Sequence, residues 1–330
     1  MQNTLSLINL SAISSNAGLV RKLIGKRFFY AVVKADAYGH GALEVARELE
    51  QTVDGFCVAI VDEGVALRVG GVSKPVLVLA PPLDCDDAEK LKFYALTPVA
   101  CDVKSASLIR GTPCHVAVNT GMNRYGCFGG ELEQILNILP RGSVEGVFSH
   151  LYRAEDGRDC AEQLALFDAA EKRVKEHSPS AFSHLAASGG ILRGGEYLKE
   201  GVRCGIMLYG YAPCGFKAEG LERALAVYAP LSQKTRVVGG GVGYNRADKT
   251  YKQLYTYRLG YADGFARVRP LGEKTLCMDA FVSCEKKELF PVLTDAEEYA
   301  KDLGTISYEV LCSVTKRSLK VYERRTQIQV

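Results

Sequence analysis

Short apolar runs alternate along the chain with stretches whose apolar residues recur at helical spacing. Leu5-Ser6-Leu7-Ile8 reads as a strand and Ala12 to Leu23 as a helix. Phe28-Phe29-Tyr30-Ala31-Val32-Val33 is aromatic and β-branched, the make-up of a buried strand. Lys34 closes it, Gly39 and Gly41 interrupt the pattern, and Ala42 to Leu49 returns to helical spacing. Further apolar runs start at Gly55, Pro75, Thr97, His115, Val144, Phe182 and Val202. About eight strands, each followed by a helical pattern over roughly 220 residues, predict a (β/α)8 barrel. A doubly wound open sheet gives the same alternation, and the pattern alone does not separate the two. From about Ala224 the texture changes to strand-like runs and Gly-rich turns such as Gly239-Gly240-Gly241, which predicts a separate, mostly β domain. The expected fold is therefore α/β, with a barrel over residues 1–223 and a smaller β domain over 224–330.

Composition narrows the function classes. At 330 residues and 47% hydrophobic content the chain can bury a sizeable core. Its 41 basic and 38 acidic residues leave a net charge of +3 and are intermixed, which argues against nucleic acid as a partner. No apolar run reaches the length of about 18 residues that a membrane span needs, and the N-terminus opens no basic-then-apolar leader. The 11 cysteines are odd in number and contain no CxxC pair, against a disulfide framework or a structural zinc site. Cys57, Cys114, Cys204 and Cys277 sit in apolar runs as small core residues. The expectation is a reducing, cytoplasmic setting without a bound metal.

Candidate chemistry begins at Lys34. A lysine at the C-terminal end of a strand, before a tight turn into a helix, stands where barrel enzymes carry reactive groups. An amine held in a partly dry place can lose its proton and form a Schiff base; a solvated strand-end lysine is the bland alternative for this feature alone. Arg124, in the loop Asn119 to Gly126, offers a guanidinium fork suited to a planar anion. The backbone amides of Gly205 and Ile206 suit a phosphate, in the late loops where barrels bind one.

Taken together, these segments resemble the alanine racemases that use pyridoxal 5′-phosphate. The run Val32-Val33-Lys34-Ala35-Asp36-Ala37-Tyr38-Gly39-His40-Gly41 is close to that family's lysine motif, and the resemblance runs from about Leu5 to Tyr322 with seven ordered motifs. The resemblance implies that Lys34 carries the cofactor as a Schiff base, with Tyr38 and Ser188 at its phosphate, His150 stacked on its ring and Arg203 at the pyridine nitrogen. It implies that Arg124 and the Met278 amide hold the substrate carboxylate, with Tyr261 at the entrance and Arg267 near the second base. That second base is Tyr244, reaching the partner subunit's barrel, so a homodimer is implied. The implied reaction interconverts L- and D-alanine by proton transfer on two faces of Cα, supplying D-alanine for cell-wall peptidoglycan. Arg203 fits this chemistry: a guanidinium stays charged and disfavours a protonated ring, which restrains electron withdrawal and favours simple loss and return of one proton.

Departures from the family pattern are Ala117 in place of a carbamylated lysine, Asn119 in place of an acidic residue, Ala187 for Asn, Asn245 for Gly and Lys316 for a tyrosine. The Asn119 amide or a bound anion is expected to support Arg124, and Lys316 to face solvent. His40 and His184 read as supporting residues, and His115 and His177 as surface or strand packing. Three alternatives stand beside the alanine racemase reading. One is a serine or broad-specificity small amino-acid racemase. Another is a decarboxylase, which needs the strong electron sink that Arg203 opposes. The third is a cofactor-binding homeostasis protein, against which Tyr244 and Met278 tell.

Overall fold

A computed structural model of the chain describes residues 4–238, 240–246, 251–267 and 275–324. Gly239 of the Gly-rich turn lies outside the described residues.

Eight parallel strands form one sheet: β2 (Phe28–Val32), β3 (Gly55–Val58), β4 (Val76–Val78), β5 (Val99–Ala100), β6 (Cys114–Ala117), β7 (Val144–Phe148), β8 (Phe182–Ala187) and β9 (Gly201–Cys204). Their order is β4-β3-β2-β9-β8-β7-β6-β5. The ends meet where Val78 N–H donates to the Thr97 carbonyl (3.0 Å) and Thr97 N–H to the Val76 carbonyl (2.8 Å). That closure settles the choice left open by the pattern: the sheet is a nearly closed barrel. The strands read as continuous apolar runs because parallel strands are covered on both faces, and β3, β4 and β6 are buried at every residue. Several intervening helices begin on an aspartate whose side chain accepts backbone N–H groups of the first turn: Asp84, Asp102 and Asp156.

The first strand, β1 (Leu5–Asn9), does not enter the barrel. It pairs antiparallel with β10 (Leu225–Arg236) and parallel with β17 (Leu319–Glu323). The described residues fall into two compact units. The barrel unit is Ile13–Ala37 with Ala42–Leu221; the other holds β1 and the chain through Ala12, the four residues Tyr38–Gly41, and the described residues from Glu222 onward. Its main sheet adds β13 (Gln253–Tyr257), β14 (Thr275–Leu276), β15 (Phe281–Ser283) and β16 (Leu289–Leu293), while β11 (Gly241–Val242) and β12 (Asn245–Arg246) form a hairpin. Tyr257, Phe281 and Phe290 pack ring to ring in its core, with centroids 4.9 to 5.3 Å apart. Two helices, Ala296–Leu303 and Ser307–Ser313, interrupt the strands; the strand-like texture of this region did not announce them.

Candidate active site

In the barrel unit the expected site residues gather at the C-terminal ends of the strands. Lys34 follows β2, Arg124 lies in the loop after β6, His150 follows β7, Ser188 follows β8, Arg203 is in β9, and Gly205 and Ile206 follow it. Tyr209 Oη donates to the Val32 carbonyl (2.9 Å), tying the turn after β9 to the end of β2, two residues before Lys34. One electrostatic neighbourhood covers these ends. Burial, then the positive charges of Arg203, Arg124 and Lys34, push the His150 imidazole down to about 3. Burial pushes the Cys57 thiol up to about 12 against the opposing pull of Arg203 and Lys34. So many cations facing one mouth suit an anionic ligand.

Arg203 is only 3% exposed. Its two terminal nitrogens donate to His184 Nδ1 (2.7 Å), the His184 carbonyl (2.6 Å), the Ser149 carbonyl (2.6 Å) and the Leu185 carbonyl (3.3 Å). The guanidinium also lies over the Phe148 ring, 4.9 Å from its centroid. A guanidinium has five N–H donors. Four are spent on these acceptors, and the fifth, on Nε, has no acceptor among the described residues. Burial pulls Arg203 down to about 10, so it is charged at neutral pH.

Behind Arg203 stands a pair of buried imidazoles. Because arginine only donates, His184 Nδ1 is the acceptor, and its proton sits on Nε2, 2.8 Å from His115 Nδ1. Of the two places expected for His115, surface or strand, it takes the strand: it is 1% exposed in β6 and completes this chain of fixed tautomers. No local spacing signals the pair, since the two histidines are 69 residues apart and meet from β6 and β8, with β7 between those strands in the sheet.

The phosphate-side residues also meet. Ser188 Oγ accepts from Gly205 N–H (3.2 Å), and neither the helix Ser188–Arg193 nor the turn Ile206–Tyr209 has a side-chain cap on its first amides. Arg124 is exposed on its loop. Asn119 Oδ1 accepts from the Gly121 (3.0 Å) and Asn123 (3.1 Å) amides, and its own amide is directed to Asn123 Oδ1 (3.1 Å) rather than to Arg124. Asn119 is thus a turn-former.

The turn after Lys34 has an uncommon backbone. Ala35, Asp36, Ala37 and Tyr38 all have φ between 52° and 54°, a left-handed run without glycine. Side chains hold it: Glu63 Oε1 accepts from Ala35 N–H (2.7 Å) and Asp36 Oδ1 from Ala42 N–H (2.8 Å). Such runs are costly and concentrate at functional sites.

The remaining residues lie in the other unit. Tyr38 is buried, its ring 6.0 Å from that of Tyr308. Tyr244, in the β11–β12 hairpin, is 73% exposed, with the Arg267 guanidinium 6.0 Å from its ring centroid. Tyr261 N–H donates to the Cys277 carbonyl and Ala262 N–H to the Met278 carbonyl, both at 3.0 Å, so Tyr261 and Met278 are neighbours. Arg317, which sequence reasoning assigned no role, donates to Asp279 (3.0 Å) and lies 3.6 Å from Asp263, bracing both turns. Lys316 is exposed, as expected.

Comparison with known proteins gives this arrangement its relatives. Residues 8–213 match the family model for the alanine racemase N-terminal domain. The chain belongs to the alanine racemase family. Alanine racemase of Clostridium novyi (strain NT) is 31% identical over 97% of this chain and 95% of its own length. The solved alanine racemase of Clostridium difficile 630 superposes with a TM-score of 0.88 at 26% identity, covering 99% of this chain and 97% of that one. The alanine racemase structure from Bacillus anthracis with bound L-Ala-P gives 0.87 at 26% identity, over 99% and 96%. Among the described residues no helix is long and apolar enough to cross a membrane, and all eleven cysteines are free.

Proposed function

We propose that the protein interconverts L- and D-alanine with pyridoxal 5′-phosphate, using Lys34 and Tyr244 as the two proton-transfer groups. The observation that carries this reading is the unspent Nε–H of Arg203. A buried cation with four donors anchored and one left over is built to meet a single neutral acceptor, and a pyridine nitrogen is such an acceptor. The donor set fits the rest of the cofactor: an amine at Lys34 for the aldehyde, and the Ser188 hydroxyl with the Gly205 and Ile206 amides for the phosphate, joined by the Tyr38 hydroxyl. When bound, the cofactor supplies an electron sink that makes the α-proton of an amino acid removable.

The chain's own residues then decide the outcome. Arg203 stays charged and would present its Nε–H to the ring nitrogen, a donor that would disfavour protonation there and so favour return of the proton to Cα. Arg124 and the Met278 backbone hold the substrate carboxylate, fixing which faces of Cα are presented. The Lys34 amine removes or returns the proton on one face and the Tyr244 phenol on the other. Tyr244 (73% exposed) and Met278 (53% exposed) act in the partner subunit's site, so the working enzyme is a homodimer. The physiological role is supply of D-alanine within the cytoplasm.

Borohydride reduction of cofactor-loaded protein followed by peptide mapping tests the assignment: the reduced adduct is expected on Lys34. Lys34→Ala should abolish both the adduct and exchange of the alanine Cα proton with deuterated water; retention of either by the variant contradicts the proposal. A panel of L-amino acids read by chiral chromatography separates alanine from serine or broader specificity, with alanine expected to turn over fastest.

A further inference from the structure

The four residues Tyr38–Gly41 belong to the unit built by the C-terminal chain, although the residues on either side of them in sequence belong to the barrel unit. All four are buried, and two glycines mark where they are gripped. Gly39 has φ +84°, and a β-carbon there would stand 2.5 Å from the Leu311 carbonyl oxygen and against the Thr315 hydroxyl. Gly41 has φ +92°, and a β-carbon there would collide with the Tyr322 hydroxyl. Leu311 and Thr315 are themselves buried, and Tyr322 is held in β17 opposite Ile8 of β1. The Tyr38 ring centroid lies 6.0 Å from that of Tyr308. Both close approaches are possible only because these positions lack side chains.

We infer that Leu311, Thr315 and Tyr322 form a clasp on Gly39 and Gly41 that sets the Tyr38 hydroxyl, making Thr315 and Tyr322 positioning residues for the phosphate end of the cofactor. The inference rests on the reading of Tyr38 as a phosphate contact and extends it to residues nearly 300 positions away in sequence. The clasp answers a physical need. A left-handed run of four non-glycine residues does not hold itself; Glu63 holds its start and the Asp36–Ala42 hydrogen bond spans the loop, which Leu311, Thr315 and Tyr322 approach at Gly39 and Gly41, next to its last member, Tyr38.

The test compares pyridoxal 5′-phosphate with pyridoxal, which lacks the phosphate, in absorbance titrations of cofactor-free protein. Tyr322→Phe keeps the ring and removes the hydroxyl. It is expected to raise the half-saturating concentration of the phosphorylated aldehyde about tenfold, the worth of one hydrogen bond to a charged group, and to leave pyridoxal within about twofold. Tyr38→Phe should show the same selectivity, and the double variant should bind no more than about twofold worse than Tyr38→Phe alone, since both changes remove one interaction. Gly41→Ala should reproduce the selective loss if it folds. Equal losses for both aldehydes, independent effects that multiply in the double variant, or unchanged binding by Tyr322→Phe would each overturn the clasp. A wild-type chain that takes up neither aldehyde would overturn the racemase reading and the clasp with it.

Discussion

His184 and His115 are held neutral by what surrounds them. Burial and the adjacent Arg203 charge lower the His115 imidazole to about 3 and push His184 well below its ordinary value. An unfolded imidazole titrates near 6.5, so below that pH the unfolded chain binds protons the folded chain refuses. The sign follows: this contribution to stability is complete above about pH 6.5 and is lost as the pH falls. At pH 5 the loss is about 2 kcal/mol for His115, and His184 adds to it in the same direction. Urea unfolding at pH 7.5 and pH 5 should show a lower midpoint at the lower pH; an equal or higher midpoint would contradict the neutral pair. The strand-end placement of Lys34 and Arg203 was legible in the sequence because each stands in an ordered motif. His115 was not, since its partner comes from a strand far along the chain. Arg317 was not either, because its carboxylate partners Asp263 and Asp279 approach it only through folding.

At the scale of elements, the βα rhythm and the chain's apolar runs were enough to expect the barrel, but the turn after Lys34 carries no sequence sign of its conformation. Ala, Asp, Ala and Tyr are ordinary right-handed residues, and a left-handed backbone costs each roughly 1–2 kcal/mol. Tertiary hydrogen bonds from Glu63 and Asp36 override that preference. Ala35→Gly relieves the strain and gives back roughly 0.4–1 kcal/mol through the freer unfolded chain, so its thermal midpoint should match or exceed that of the parent. Ala46→Gly, in the ordinary helix Ala42–Leu49, should lower the midpoint by the equivalent of about 1 kcal/mol or more. A loss at Ala35 as large as that at Ala46 would contradict the left-handed turn. The first strand shows the same limit. Leu5-Ser6-Leu7-Ile8 reads as a strand from its composition, yet its partners, β10 and β17, are some 220 and 310 residues away, and nothing local names them.

At the scale of the whole molecule, the proposed reaction divides its two proton-transfer groups between two copies of the chain. Lys34 lies in the barrel unit and Tyr244 in the other unit, where it is largely exposed. If each site takes its amine from one subunit and its phenol from the mate, two inactive variants can repair one another. In a dimer of one Lys34→Ala chain and one Tyr244→Phe chain, one site receives both defects and the other receives none. Random mixing makes half the dimers mixed, so about a quarter of all sites should be intact. The decisive measurement is the racemase activity of Lys34→Ala and Tyr244→Phe proteins, each inactive alone, after they are unfolded together and refolded as a mixture. Recovery of about a quarter of the wild-type rate is the predicted result; a mixture as inactive as its components would show that both groups act within one chain and would contradict the account.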